Sequence, residues 1–513
     1  MSAASKITTD ILHEIARRIP IFEHAPPLIR PSDIWREPHF TLYKPSNLLP
    51  CTLVCRLWNT IFTPYLYQYY IDDHLDLPLK KDKLFLAFRK RSHLIRWYLS
   101  HTFGDDYQKR LPFDPKNPPK NIVGLLLFET KPTICQLVIE NQGSRLKKLA
   151  WCSARLSIYR DAFLNMPCLE ELDLRVALMD DETLFKILSG CAETLRSLRL
   201  QASAGITSKI FEFDGPITTS TSKKINHGSG MTRKPNWMLP RLKALQLFIP
   251  LERTDVFFHL PQLCPALETF HLVANDSYGS FKELTTTLQA HCPHIHTIGY
   301  GDYDMDSLFY PDSKDFIPLI THSVKRQSLQ RITFGLPKGL DGYIMGALVQ
   351  HATTLVVLEL WSRPEADFII LKLDRMAVLL SQCTKLKEFR LPRLKADHIT
   401  MDDLLAVPWA CQGLQVLVID GYSTAEPVAG TWFEGQKVVP RRRSGDPKRP
   451  LHKEYCDVGQ GWLMKPGMKQ EYYQQALEDS EWKCKLFEHM YTTSGVKNVD
   501  CVRLNSVQFF SSL

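Results

Sequence analysis

The sequence predicts an α/β chain in two unequal parts: a small helical module at the amino terminus, then a long solenoid of parallel strands with helices on its outer face. Three observations predict it. A six-residue apolar pattern, L-x-x-L-x-L, recurs along most of the chain. Segments with helical apolar spacing lie between its copies. Ahead of the first copy, two apolar-striped helical segments flank a Pro-rich, non-periodic stretch.

The pattern, with conservative swaps, reads LEELDL at 169–174, LRSLRL at 195–200, LKALQL at 242–247, LETFHL at 267–272 and IHTIGY at 295–300. It continues as LQRITF at 329–334, LVVLEL at 355–360, LKEFRL at 386–391 and LQVLVI at 414–419, with weaker copies at 146–151 and 499–504. Ordinary steps between starts are 23 to 34 residues; two are longer, 47 from Leu195 to Leu242 and 85 from Leu414 to Val499. Alternation of period two means a strand with one apolar side. One such rung cannot bury that side alone, so rungs must stack into a parallel sheet with an outer return segment. MDDETLFKILSGC, 179–191, reads as such a return helix, with Asp180 or Asp181 as its cap and Leu184, Ile187 and Leu188 facing inward. This recurrence resembles the leucine-rich repeat, in its irregular, cysteine-containing subtype.

The same register accounts for most cysteines. Cys264, Cys292, Cys383 and Cys411 stand three residues before the first Leu or Ile of a rung, and Cys191 four before. Recurrence at one repeat position predicts buried helix-end residues that behave as small hydrophobes. HCPHIH, 291–296, is the most metal-like cluster, but Cys292 and Ile295 already hold repeat positions, so no metal and no cofactor is expected. Two segments interrupt the ladder, 203–238 and 421–468. Both are rich in polar or Gly/Pro residues and are expected to be flexible excursions. Residues 470–491 have helical apolar spacing and are expected to supply the last outer helix.

In the amino-terminal part, Ile11, Leu12, Ile15 and Ile19 form a helical stripe, with Thr8 or Thr9 as N-cap. A second helix is expected from Ser46 or Asn47, with Pro50 in its first turn and Pro64 ending it. It is apolar on two sides: Leu49, Leu53 and Leu57 make one stripe, and Cys51, Cys55, Trp58 and Phe62 another. A small module cannot cover both, so one stripe needs a second surface. Cys51 and Cys55, four apart, have no further ligands at usable spacing and are read as packing residues.

The stretch LLPCTLVCRLWNTIFTPYLY resembles the second half of an F-box, on Leu48-Leu49, Leu53-Val54-Cys55-Arg56, Trp58, Pro64 and Leu66. Ile11, Leu12 and Ile15 match the family's first helix, and Ile7-Thr8 stands where the family has leucine-proline. The domain reading is therefore an F-box over 5–72 with an insert at about 20–45, a helical linker or solenoid start over 73–145, and repeats over 146–513. F-box followed by leucine-rich repeats is an architecture common among fungal proteins.

The resemblance implies a non-catalytic substrate adaptor of a cullin–RING, SCF-type ubiquitin ligase. Its F-box would bind a Skp-type linker protein through Ile7, Ile11, Leu12, Ile15, Leu49, Leu53, Val54, Cys55, Arg56, Trp58, Pro64 and Leu66. The repeats would hold a protein substrate. Strand alternation assigns the concave side to Asp173, Arg175, Arg199, Gln246, Phe248, His271, Arg331, Glu359, Trp361, Glu388, Arg390 and Asp420, with Phe248 and Trp361 as exposed aromatic anchors.

Composition agrees with this class and narrows the others. A chain of 513 residues, 44% hydrophobic and 23% charged, is expected to be globular, with more than one domain. No apolar run nears the ~18 residues a bilayer needs, and the start MSAASKITTDILHEIARR has no signal-peptide core, so the expected location is cytoplasm, nucleus or both. Thirteen cysteines without a C-x-x-C are expected to be reduced thiols. The formal charge is +8; RRRSGDPKRPLHK, 441–453, has six Lys/Arg against one Asp, or +5, which leaves +3 elsewhere. That run reads as a solvated loop or a nuclear-import signal. Without stacking aromatics or a known binding fold nearby, nucleic acid is not expected. No P-loop, nucleophile-elbow, zincin or kinase motif is present, and catalytic residues are expected to be none. Two alternatives stay open: a repeat scaffold whose F-box has degenerated, and a GTPase-activating repeat protein.

Overall fold

A computed structural model describes residues 8–19, 48–71, 81–100, 113, 119–128, 143–155, 166–213, 237–249, 255–274, 281–301, 313–321, 328–335, 342–361, 373–395, 408–422 and 501–505. Three helices come first: α1 (Thr9–Arg18), the short α2 (Leu49–Thr52) and α3 (Arg56–Leu66). The strands then run β1 (Tyr69–Ile71), β2 (Trp97–Ser100), β3 (Gly124–Phe128), β4 (Lys148–Arg155) and β5 (Glu171–Leu178). They continue as β6 (Ser197–Ala204), β7 (Ala244–Ile249), β8 (Thr269–Ala274), β9 (Thr297–Tyr300) and β10 (Arg331–Gly335). The last are β11 (Val357–Trp361), β12 (Glu388–Lys395), β13 (Val416–Tyr422) and β14 (Cys501–Asn505). All fourteen form one sheet in chain order, and every neighbouring pair is parallel.

Two apolar ladders cross this sheet on its inner side. One runs Leu125, Leu149, Leu172, Leu198, Leu245, Phe270, Ile298, Ile332, Leu358, Phe389 and Leu417; the other is Leu127, Trp151, Leu174, Leu200, Leu247, Leu272, Tyr300, Phe334 and Leu360. Each side chain is fully buried, a contribution of about 1.5–3 kcal/mol apiece. The first leucine of each pattern is not in a strand. Leu146, Leu169, Leu195, Leu242, Leu267, Ile295, Leu329, Leu355, Leu386 and Leu414 sit in the preceding turns and are buried there as well. Thr194 and Thr354 tie equivalent turns together, each donating from Oγ1 to a carbonyl one repeat back, Leu169 O and Leu329 O, at 2.9 Å.

The sheet starts earlier than the repeat pattern suggests. β1, β2 and β3 lie before residue 146, and β1 falls inside the span read as F-box. Tyr70 and Tyr98 stack at 5.6 Å in the positions that leucines hold later, which hides β1 and β2 from a leucine pattern. A helix α4 (Lys81–Lys90) returns the chain between β1 and β2.

The return helix over Asp181–Cys191, α5, is capped as expected, with Asp180 Oδ1 accepting from Thr183 N at 2.7 Å and Leu184, Ile187 and Leu188 buried. Asp181 serves elsewhere: its carboxylate accepts from Thr207 N at 2.6 Å and from the Thr207 hydroxyl. The excursion at 203–238 is thus pinned at both ends. Phe213 stacks on Phe185 at 4.9 Å, and Trp237 packs edge-on to Phe185 while its Nε1–H donates to Ile210 O at 3.1 Å. Gly205 is required here, because its φ of 99° and the adjacent Met179 carbonyl leave no room for a side chain. Residues 214–236, most of 421–468 and the helix expected at 470–491 lie outside the described residues.

The repeat cysteines are buried, as expected. Burial pushes Cys191, Cys292, Cys383 and Cys411 up to about 12 and Cys264 well above the ordinary thiol range. The S–H groups of Cys191, Cys264 and Cys292 donate to backbone carbonyls, to Ile187 O at 3.2 Å, Leu260 O at 3.6 Å and Pro261 O at 3.3 Å. Iodoacetamide applied to the native protein is expected to label exposed Cys55 and Cys168 and spare these five until urea is added. Peptide mass spectrometry reads the order directly.

His351 is fully buried, and burial holds its pKa below the usual value. Nε2 donates to Ile320 O at 3.1 Å, a bond that opposes the downward shift without outweighing burial. A histidine that protonates more readily unfolded than folded stabilises the fold above the unfolded value and loses that contribution as pH falls below about 6.5. The urea midpoint is expected to drop between pH 7 and pH 5, with a smaller drop in His351→Asn.

Candidate docking face and concave surface

The amino-terminal module is built from α1, α2 and α3 around Leu12, Ala16, Leu48, Ile61 and Phe62. The second helix expected from the sequence is broken in two. The chain leaves the helix at Leu53, and Cys55 is extended (φ −163°, ψ 174°) before α3 begins. Asn59 Nδ2 donates to Thr52 O at 2.8 Å, which satisfies a carbonyl that the break would otherwise orphan. The consequence is an outward elbow: Leu53 is 76% exposed, Leu49 and Val54 49% each, Leu57 40%, and Ile11 on α1 53%. Trp58 turns the other way and stacks on Phe62 at 5.2 Å. Pro64 does not end α3, which runs on to Leu66; Thr60, whose carbonyl the proline cannot pair with, is on the exposed side.

No linker separates this module from the sheet. Leu66 packs on the module's core, while Tyr67 packs on the sheet's core and meets Phe88 edge-on at 5.2 Å. Tyr69 then opens β1. Neighbouring residues Leu66 and Tyr67 thus belong to different cores.

On the concave side, Asp173, Arg199, Gln246, His271, Gly299, Thr333, Glu359 and Arg390 are lateral neighbours along one ladder. Arg175 Nη2 lies 3.4 Å and Arg199 Nε 3.8 Å from the Asp173 carboxylate, and the Arg199 guanidinium stacks on Phe248 at 4.5 Å. Arg390 Nη2 donates to Glu388 Oε2 at 2.8 Å. His271 Nε2 is 2.7 Å from Gly301 O, and its ring lies over Gly299, where a Cβ would collide with it. Trp97 crosses Gly124 in the same way.

A fourteen-strand parallel sheet in chain order, with a buried leucine or isoleucine in the turn before most strands, decides the fold class. The chain is a leucine-rich-repeat solenoid. No protein-family model matches it. No curated protein matches it either. Among solved structures it is similar to the leucine-rich repeat-containing protein LegL7 of Legionella pneumophila, at 12% identity and TM-score 0.33, over 59% of this chain and 84% of that one. It is also similar to a protein of Bacteroides fragilis, at 10% identity and TM-score 0.26, over 54% of this chain and 60% of that one.

The leucine-rich-repeat geometry sorts the sequence candidates. Of the twelve docking residues, Ile11, Leu49, Leu53, Val54, Cys55, Arg56 and Pro64 are exposed. Leu12 is buried, and Ile15, Trp58 and Leu66 pack against the module's core, so these four hold the module rather than face outward. Ile7 lies outside the described residues. Cys51 packs as expected, whereas Cys55 is exposed at the elbow. Leu57, which that set leaves out, is exposed beside Leu53 and Val54.

The concave reading needs more correction. Asp173, Phe248, Glu359 and Arg390 are 5%, 3%, 3% and 6% exposed, so they are not solvated sheet positions and Phe248 is not an exposed anchor. Strands about 4.8 Å apart press equivalent side chains against one another, and Arg199 covers the ring. Arg175, Arg199, Gln246, His271, Arg331 and Glu388 are half-buried and keep an accessible edge. Trp361 ends β11 opposite Gly335, and Asp420 pairs with Asn505; their side chains lie outside the described residues. Among the described residues no group of three or more His, Cys, Asp or Glu is arranged to hold a metal, and no helix is long and apolar enough to cross a membrane.

Proposed function

We propose that this protein is the substrate-recognition adaptor of an SCF-type ubiquitin ligase, binding a Skp-type linker through the amino-terminal module and a protein substrate through the repeats. The observation that carries the reading is the outward elbow: Leu49, Leu53, Val54 and Leu57 fall within nine residues and all stay exposed on a module whose core is already filled. Burying such a cluster is worth several kcal/mol to a partner, and solvating it has no folding benefit. Leu49, Leu53 and Val54 also carry the F-box resemblance.

In this reading the protein does no bond chemistry. Docking at one end and substrate capture along the solenoid raise the local concentration of a substrate lysine near the ubiquitin-loaded enzyme. The short join between Leu66 and Tyr69 suits that role, because it keeps the module close to the first rungs. Substrate recognition falls to the half-buried concave edge, and the work would take place in the cytoplasm, the nucleus or both. The coarser reading, a protein-interaction repeat scaffold, stands on the fold alone.

Co-expression with a Skp-type linker followed by affinity purification tests the proposal. One-to-one capture by the wild type, lost in Leu49→Glu/Leu57→Glu with circular dichroism unchanged, is the expected result. Absence of capture by the wild type would leave the scaffold reading and make a GTPase-activation assay the next step.

A further inference from the structure

Positive charge is concentrated in the first rungs, not only in the run at 441–453. From the first residue of α4 to the first of β4, residues 81–148, fourteen Lys and Arg stand against six Asp and Glu, a formal +8 equal to that of the whole chain. With +5 at 441–453, everything else sums to −5.

Several of these cations share one rim of the solenoid. Arg96, Val123 and Lys147 each precede a strand and are joined by backbone bonds, Val123 N to Arg96 O at 2.8 Å and Lys147 N to Val123 O at 2.9 Å. In the turns just before them, Asn121 Nδ2 donates to His93 O and Arg145 Nη1 to Lys120 O, both at 3.0 Å. Arg91 begins the row, its guanidinium 4.8 Å above the Tyr67 ring where the docking module ends. Farther along, rim cations are matched: Lys147 with Glu170 at 2.9 Å and Lys243 with Glu268 at 2.7 Å. Arg96, Lys120 and Arg145 are exposed; the acidic residues of the sequence between Leu86 and Lys148, namely Asp105, Asp106, Asp114, Glu129 and Glu140, all lie outside the described residues.

We propose that this rim, centred on Arg96, Lys120 and Arg145, docks an acidic polypeptide segment of a partner protein. Like charges carried near the starts of successive strands, which lie about 4.8 Å apart, repel one another and are relieved by an anionic strand laid along them. The neighbouring aromatics select a peptide over a nucleic acid. Trp97 stacks on Tyr69 at 5.9 Å on one side, and on the other it meets Gly124 and the Lys148 ammonium, 5.7 Å from its ring. Both faces of Trp97 are taken, so this ring is no platform for a base. The proposal does not depend on what the module binds.

The test is fluorescence anisotropy with fluorescein-labelled decaglutamate and the full chain, at about 0.1 M salt, where the Debye length is about 10 Å. Arg96→Glu/Lys120→Glu/Arg145→Glu is expected to bind at least ~10-fold more weakly than wild type. The charge-matched control Arg241→Glu/Lys385→Glu/Lys387→Glu, at exposed positions farther along, is expected to bind like wild type. Failure of the wild type to bind, or an equal loss in the control, would overturn the proposal. Tighter binding of a ten-residue oligothymidylate than of decaglutamate would overturn the assignment to a protein partner.

Discussion

Leu53→Asp is expected to abolish capture of a Skp-type linker, a loss of at least ~100-fold, while leaving the fold within about 0.5 kcal/mol of wild type. The side chain is 76% exposed at the elbow between α2 and α3, so the free protein gains nothing from its methyl groups. A docked partner would desolvate it, and a carboxylate in that position would be buried unpaired. Leu12→Ala is the instructive contrast. Leu12 is wholly buried in the module's core, so its truncation costs about 2–5 kcal/mol and lowers capture by melting the module. Hydrogen exchange separates the two: amides of α1 and α3 exchange faster in Leu12→Ala and at the wild-type rate in Leu53→Asp.

The second large effect belongs to the concave side. Asp173→Ala is expected to cost about 3 kcal/mol, which corresponds to roughly 100-fold faster amide exchange in β5 and β6. Asp173 is nearly inaccessible and holds two guanidinium groups, those of Arg175 and Arg199. Its removal leaves two cations facing each other and loosens the Arg199 stack on Phe248. Exposure in the pair Lys148–Glu171, 34% on each side, makes Glu171→Gln the control, expected to change stability by less than about 1 kcal/mol. Wild-type exchange rates in Asp173→Ala would mean that the ladder is not structural and that its charges are available to a ligand.

The rungs were legible because a leucine pattern returning every 23 to 34 residues is what stacked repeats require and few unrepeated folds produce. Of the rungs that escaped, β1 and β2 fill core positions with Tyr70 and Tyr98, whereas β3 does carry the pattern, as Ile122, Leu125 and Leu127 in IVGLLL, and was legible but passed over. The helix break at Leu53–Cys55 escaped because no Gly or Pro marks it; Asn59, a side chain seven residues from the carbonyl it satisfies, is what stabilises the turn. Pro64 misled in the opposite direction. On the concave side, alternation told which residues face inward along a strand but not how deeply each is covered. That depends on lateral neighbours, such as Arg199 against Phe248, whose strands are joined by a connection of about 40 residues.

The measurement that bears most directly on the docking face is calorimetric titration of a purified Skp-type linker into the full-length chain at two temperatures. One-to-one binding with a negative heat-capacity change, absent in Leu53→Asp, is the result expected if the exposed leucines are what the partner buries. No binding by the wild type, or equal binding by Leu53→Asp, would contradict it.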